Sequence, residues 1–122
     1  MTEKQIETNL EMIKLAMDMT IETDHIDEWM KKLANLQALH GLSSECIRYA
    51  KRNTLVKQGT LLTDLFKTGL NATAVRLQLE SDMAEEIALF LYAERLGAGL
   101  VHCVDSCRTA ISKLKEEYKT LN

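Results

Sequence analysis

Residues 81–121 read as one uninterrupted amphipathic helix. Its apolar or small positions are Leu89, Ala93, Leu96, Leu100, Val104, Cys107, Ile111, Leu114, Tyr118 and Leu121. They recur at steps of 3 and 4, the spacing with which one helix packs on another. At 1.5 Å per residue, such a helix runs about 60 Å. A compact chain of 122 residues has a radius of gyration of only about 14 Å. Either the helix bends, or a partner chain covers its far end. The seam therefore predicts homo-oligomerisation through residues 90–121, with Leu96, Leu100, Val104, Cys107, Ile111, Leu114 and Tyr118 as the interface.

The rest of the composition suits that architecture. There is no proline, the usual breaker of helices. Hydrophobic residues make up 46% and charged residues 27%, which argues for a folded chain and against disorder. The length allows one domain, 1–122. The expected fold class is all-α: a bundle of four to five helices with a long C-terminal helix. No run of 18 consecutive apolar residues suggests a membrane span. The start, Met1-Thr2-Glu3-Lys4-Gln5, lacks the basic and apolar segments of a secretion signal. Three cysteines, an odd number without a dense framework, fit free thiols in a reducing compartment. Cytoplasmic residence without membrane attachment is the expectation.

Local signals divide the chain further. Ile6, Leu10, Ile13, Met17 and Ile21 predict a first helix from Glu3 to Ile21, with Thr2 as its N-cap. Ile26, Trp29, Met30, Leu33, Leu36 and Leu39 predict a second over Asp24 to His40, ended by Gly41. A third is expected from Ser43 or Ser44 to Gln58, and a short fourth from Leu61 to Leu70, separated by Gly59 and Thr60. Asn71 then looks like a cap, and Ser81 like the start of the long helix. Gly97-Ala98-Gly99 lies inside that helix, where each glycine costs about 1 kcal/mol relative to alanine. Close approach of another helix is the favoured reason, with a bend as the alternative.

No motif names a reaction. Glu22-x-x-His25 is half of a di-iron pattern and has no second half. His102, Cys103 and Cys107 lack a fourth partner for tetrahedral zinc, and the two cysteines read more simply as small seam residues. Cys46 would sit in the first turn of the third helix, where the dipole lowers a thiol pKa, yet no flanking motif supports a nucleophile. The Gly-x-Gly at 97–99 is not placed between a strand and a helix, as a phosphate loop would be. We therefore assign no catalytic residue, metal or cofactor.

Charge is unevenly spread. Residues 1–40 carry −4, residues 41–80 carry +3 and residues 81–122 carry −2, giving −3 overall. Arg48, Lys51, Arg52 and Lys57 lie together without an intervening acid, and Tyr49 stands beside them. Arginines can hold phosphates bidentately, and a tyrosine can stack on a base. An ordinary solvated helix face is the simpler account of such a run. Two functions follow as expectations. The first is a non-catalytic helical interaction protein that self-associates through its long C-terminal helix and binds a protein partner. The Trp29 and Met30 face would extend its working surface. The second is an accessory protein of the phage or plasmid kind, binding nucleic acid or nucleotide phosphate through Arg48, Tyr49, Lys51, Arg52 and Lys57.

Overall fold

The computed structural model describes residues 1–22 and 24–121. Among them are four helices and no strand: α1 Glu3–Asp18, α2 Ile26–Phe66, α3 Ala72–Asp82 and α4 Ala84–Leu121. α2 and α4 are an antiparallel pair of rods, about 61 and 57 Å long at 1.5 Å per residue. Gly97 of α4 lies against Ser43 and Ile47 of α2, and Lys57 of α2 pairs with Glu86 of α4. α1 lies along this pair, antiparallel to α2. Its start is tied by a hydrogen bond from Asn53 Nδ2 to the Met1 carbonyl, 3.3 Å, and its end by Lys32 donating to the Met19 carbonyl. α3 caps the end where α2 outruns α1.

α1 begins where its sequence says. Thr2 Oγ1 accepts from the Gln5 amide and Gln5 Oε1 accepts from the Thr2 amide, a reciprocal box that satisfies two otherwise orphaned donors. Ile6, Leu10 and Ile13 recur at helical spacing and are fully buried. Each such side chain contributes about 1.5–3 kcal/mol by leaving water. Asn71 caps α3 through its side chain to the Ala74 amide, 2.8 Å.

Three expected boundaries are corrected. α1 ends at Asp18 rather than Ile21. The second, third and fourth expected helices are one helix, because neither Gly41 nor Gly59 stops it. Both have negative φ, and both sit on the solvent side of α2 with nothing within 4 Å of an added Cβ. The buried row Leu36, Ser43, Cys46, Ala50 runs on past Gly41, and that packing outweighs a helix penalty of about 1 kcal/mol per glycine. Ser81 does not start the long helix. It belongs to α3, and α4 begins after Met83, whose carbonyl accepts from the Ile87 amide.

α4 passes through Gly97-Ala98-Gly99 without a break. A Cβ on Gly97 would stand 3.0 Å from Ile47 Cδ1 and 3.2 Å from Ser43 Oγ, and one on Gly99 would stand 2.9 Å from Met17 Cε. The two glycines thus let α2 and α1 approach from different sides. Close approach is the reason for them.

Candidate functional site

The expected oligomer seam is the interior of this bundle. Leu96, Leu100, Val104, Cys107, Ile111 and Leu114 are all buried within the single chain, and Leu89, Phe90 and Cys103 pack beside them. The residues that cover them come from α1 and α2, among them Leu10, Ile13, Leu36, Cys46 and Ala50. Of the named interface set only Tyr118, 46% exposed, faces water. The reason for the correction is geometric. α2 is as long as α4 and lies beside it, so the cover inferred from the length of α4 is supplied in cis. Trp29 likewise packs against the core, while Met30 next to it is exposed.

The expected basic site is split by the helix. Successive residues turn 100°, so Arg48, Lys51 and Arg52 share the outer side of α2 while Lys57 leaves the helix half a turn away. Tyr49, Arg52 and Lys57 nevertheless line one open cleft with Met1, Asn53 and Val56. Arg48 reaches back to Glu45, with contacts of 3.0 and 3.1 Å to its two oxygens, and its guanidinium lies 4.7 Å from the Tyr49 ring centre. Lys51 and Arg52 are exposed. The outer face therefore presents three cations rather than four, one of them already paired. Tyr49 is half-buried, packed against the core with Arg48 over its ring.

Lys57 instead forms an ion pair with Glu86 that ties α2 to α4. Glu3, Ala50, Asn53 and Leu89 complete a cleft of about 190 Å³ around it. The hydrogen bond from Lys57 holds the Glu86 carboxyl below its ordinary value, against the opposing effect of burial. The same bond raises the Lys57 ammonium. Glu86 Oε2 is buried and lacks a hydrogen-bond partner. Its Lys57–Glu86 pair acts as a clamp between two helices.

Two of the three thiols, Cys46 and Cys107, are buried in the core, and Cys103 packs beside it. Cys46 lies in the middle of α2, not in a first turn, and is fully buried. Burial pushes its thiol up, with the Glu45 charge adding to the effect. Burial likewise raises Cys107. Both are therefore poorer nucleophiles than a free cysteine. Among the described residues no group of three or more His, Cys, Asp or Glu is placed to hold a metal. By length and composition α4 also reaches the hydropathy of a spanning helix, with a window of mean hydropathy 1.4 that is 22% buried. Glu94 and Arg95 lie about a third of the way along α4.

Two bare apolar rows were missed in the sequence. On α1, Met12 and Leu15, with Met19 just beyond its end, lie opposite the Ile6–Leu10–Ile13 row and are 48%, 61% and 62% exposed. On α2, Leu55, Val56 and Phe66 continue the outer side that carries Arg48, Lys51 and Arg52; Phe66 is 70% exposed. On α1 the steps of 3 and 4 from Met12 to Leu15 to Met19, out of phase with the first row, are the available signal; Leu55, Val56 and Phe66 have no such spacing. No family model, curated protein or solved structure matches the chain.

Proposed function

We propose that the chain is a non-catalytic helical assembly protein that works by docking the outer face of α2 on a protein partner, self-association included. The observation that carries this is surface area. A compact monomer of 13.8 kDa exposes about 6,600 Å². This chain exposes 8385 Å², about 1,800 Å² more. The excess arises because two rods of about 40 residues cannot be wrapped by one 16-residue and one 11-residue helix. A standard protein interface removes about 800 Å² from each partner. Large apolar side chains on the uncovered sides of a rod are the natural place for one.

The test is mass against concentration. Light scattering over about 1–200 µM should give a species heavier than 13.8 kDa. The variant Leu55→Glu/Phe66→Glu should lose it while keeping the helical circular dichroism of the parent, since both side chains face solvent. A mass that stays at 13.8 kDa throughout overturns the self-association.

A further inference from the structure

The two bare rows differ in charge, and that difference selects a partner. The outer face of α2 is basic: Arg48, Lys51 and Arg52 border Leu55 and Val56, with Glu45 the neighbouring acid, held by Arg48. The outer face of α1 is mixed with an acidic excess: Glu7, Glu11 and Asp18 lie beside Met12 and Leu15, with Met19 just past the helix, and Lys4 and Lys14 fall among the carboxylates, leaving a net charge of −1. These seven α1 side chains and Met19 are all exposed. Among the described residues Glu7, Glu11, Lys51 and Arg52 make no ion pair.

We propose that the partner of the α2 face is a second copy of this chain, presenting the acidic and apolar face of its α1. This rests on the assembly reading above and specifies its surface. Each chain carries one face of each kind, so every contact pairs unlike surfaces. Apolar rows meet in the middle, and carboxylates of α1 stand against the cations of α2. Opposite charges at the border of an apolar contact set partner choice and speed encounter more than they add affinity. They also oppose the pairing of two α2 faces or two α1 faces, since like charges would then be brought together. One face used in each role removes about 1,600 Å² per chain by the standard size, close to the excess of about 1,800 Å².

Charge exchange tests the pairing. Glu7→Lys/Glu11→Lys reverses the α1 face, and Lys51→Glu/Arg52→Glu reverses the α2 face; all four positions are exposed, so the fold is kept. By light scattering at about 50 mM salt, each pair alone should raise the concentration needed for assembly at least tenfold. The two variants mixed should associate with each other, because the mixture holds one native α1 face and one native α2 face. The chain carrying all four changes should assemble again like the parent. Raising salt to about 0.5 M should weaken the parent's assembly, as screening shortens to a few ångströms. If the parent assembles and the α1 reversal leaves it untouched, this pairing is wrong while self-assembly stands. The same holds if the fourfold variant is not restored. If the parent remains at 13.8 kDa at every concentration, the assembly reading itself falls.

Discussion

Replacing Gly41 and Gly59 by alanine should stabilise the protein, and the sign of the effect reports whether α2 is one helix. Both residues lie inside α2 with negative φ and open space around an added Cβ. No packing term then opposes the gain in helix propensity. In an exposed helix interior that gain is about 0.5–1 kcal/mol per site. The sites are eighteen residues apart, about 27 Å along the helix, so their effects should add to about 1–2 kcal/mol. For a chain of this size that corresponds to a melting temperature raised by about 4–8 °C. Urea unfolding followed by circular dichroism, at a protein concentration low enough to keep association out, measures it. Gly69→Ala supplies the contrast. Gly69 has φ 74°, and a Cβ in that left-handed conformation costs about 1–2 kcal/mol. Were the chain to turn at Gly41 through a left-handed C-terminal glycine, Gly41→Ala would behave like Gly69→Ala. A loss of stability on Gly41→Ala or Gly59→Ala refutes the continuous helix.

Three further outcomes are expected. Leu100→Ala should cost about 2–5 kcal/mol in urea unfolding, because Leu100 is fully buried at the centre of the core, whereas Leu121→Ala at the exposed end should change stability by less than about 0.5 kcal/mol. Glu86→Gln should lower stability at pH 7, with a pH dependence that follows from the lowered carboxyl. A group held below its unfolded value near 4.5 stabilises the fold above that pH, and the benefit is lost as pH falls through the folded value. The gap between wild type and Glu86→Gln in urea midpoints should therefore narrow from pH 6 to pH 3; a gap that widens contradicts the clamp. Lastly, with Lys57 held by Glu86, nucleic-acid affinity at this face should come from Arg48, Lys51 and Arg52. A binding titration across salt should then show a slope in log K no steeper than about −3, and a steeper one would mean that cations elsewhere are engaged.

The all-α class, the caps at Thr2 and Asn71 and the inward rows of α1 and α4 were legible because each rests on local chemistry. A 3–4 spacing, a capping hydroxyl or a capping amide works over a few residues and does not depend on what lies across the bundle. The joins were illegible for the complementary reason. Gly41 looks like a stop by its own propensity, and only the tertiary burial of Ser43, Cys46 and Ala50 carries the helix through it. That row is weakly hydrophobic, so periodicity finds the face thin. Its small side chains serve proximity instead, letting α2 come close to the Ala93–Gly97 side of α4. The basic site was half legible. Arg48, Lys51 and Arg52 do share a face, but Lys57 lies half a turn away, which nine residues at 100° each already dictate within the helix expected over 43–58.

A helix of about 57 Å does need a long cover. A radius of gyration for compact chains then made a second molecule look necessary. That scale assumes that chain length is spent on wrapping a sphere. Here it is spent on a second rod, and the Gly97 and Gly99 notches set the two partners of α4 at close range on either side. The consequence reaches the function. A hairpin of rods hides the most regular seam in the sequence and leaves the less regular rows outside. The residues best placed to meet another molecule are Leu55, Val56 and Phe66 on one side and Met12, Leu15 and Met19 on another. Periodicity ranks those positions below the core, yet the opposite charges around them distinguish the two faces, and a seam that is already filled cannot do that.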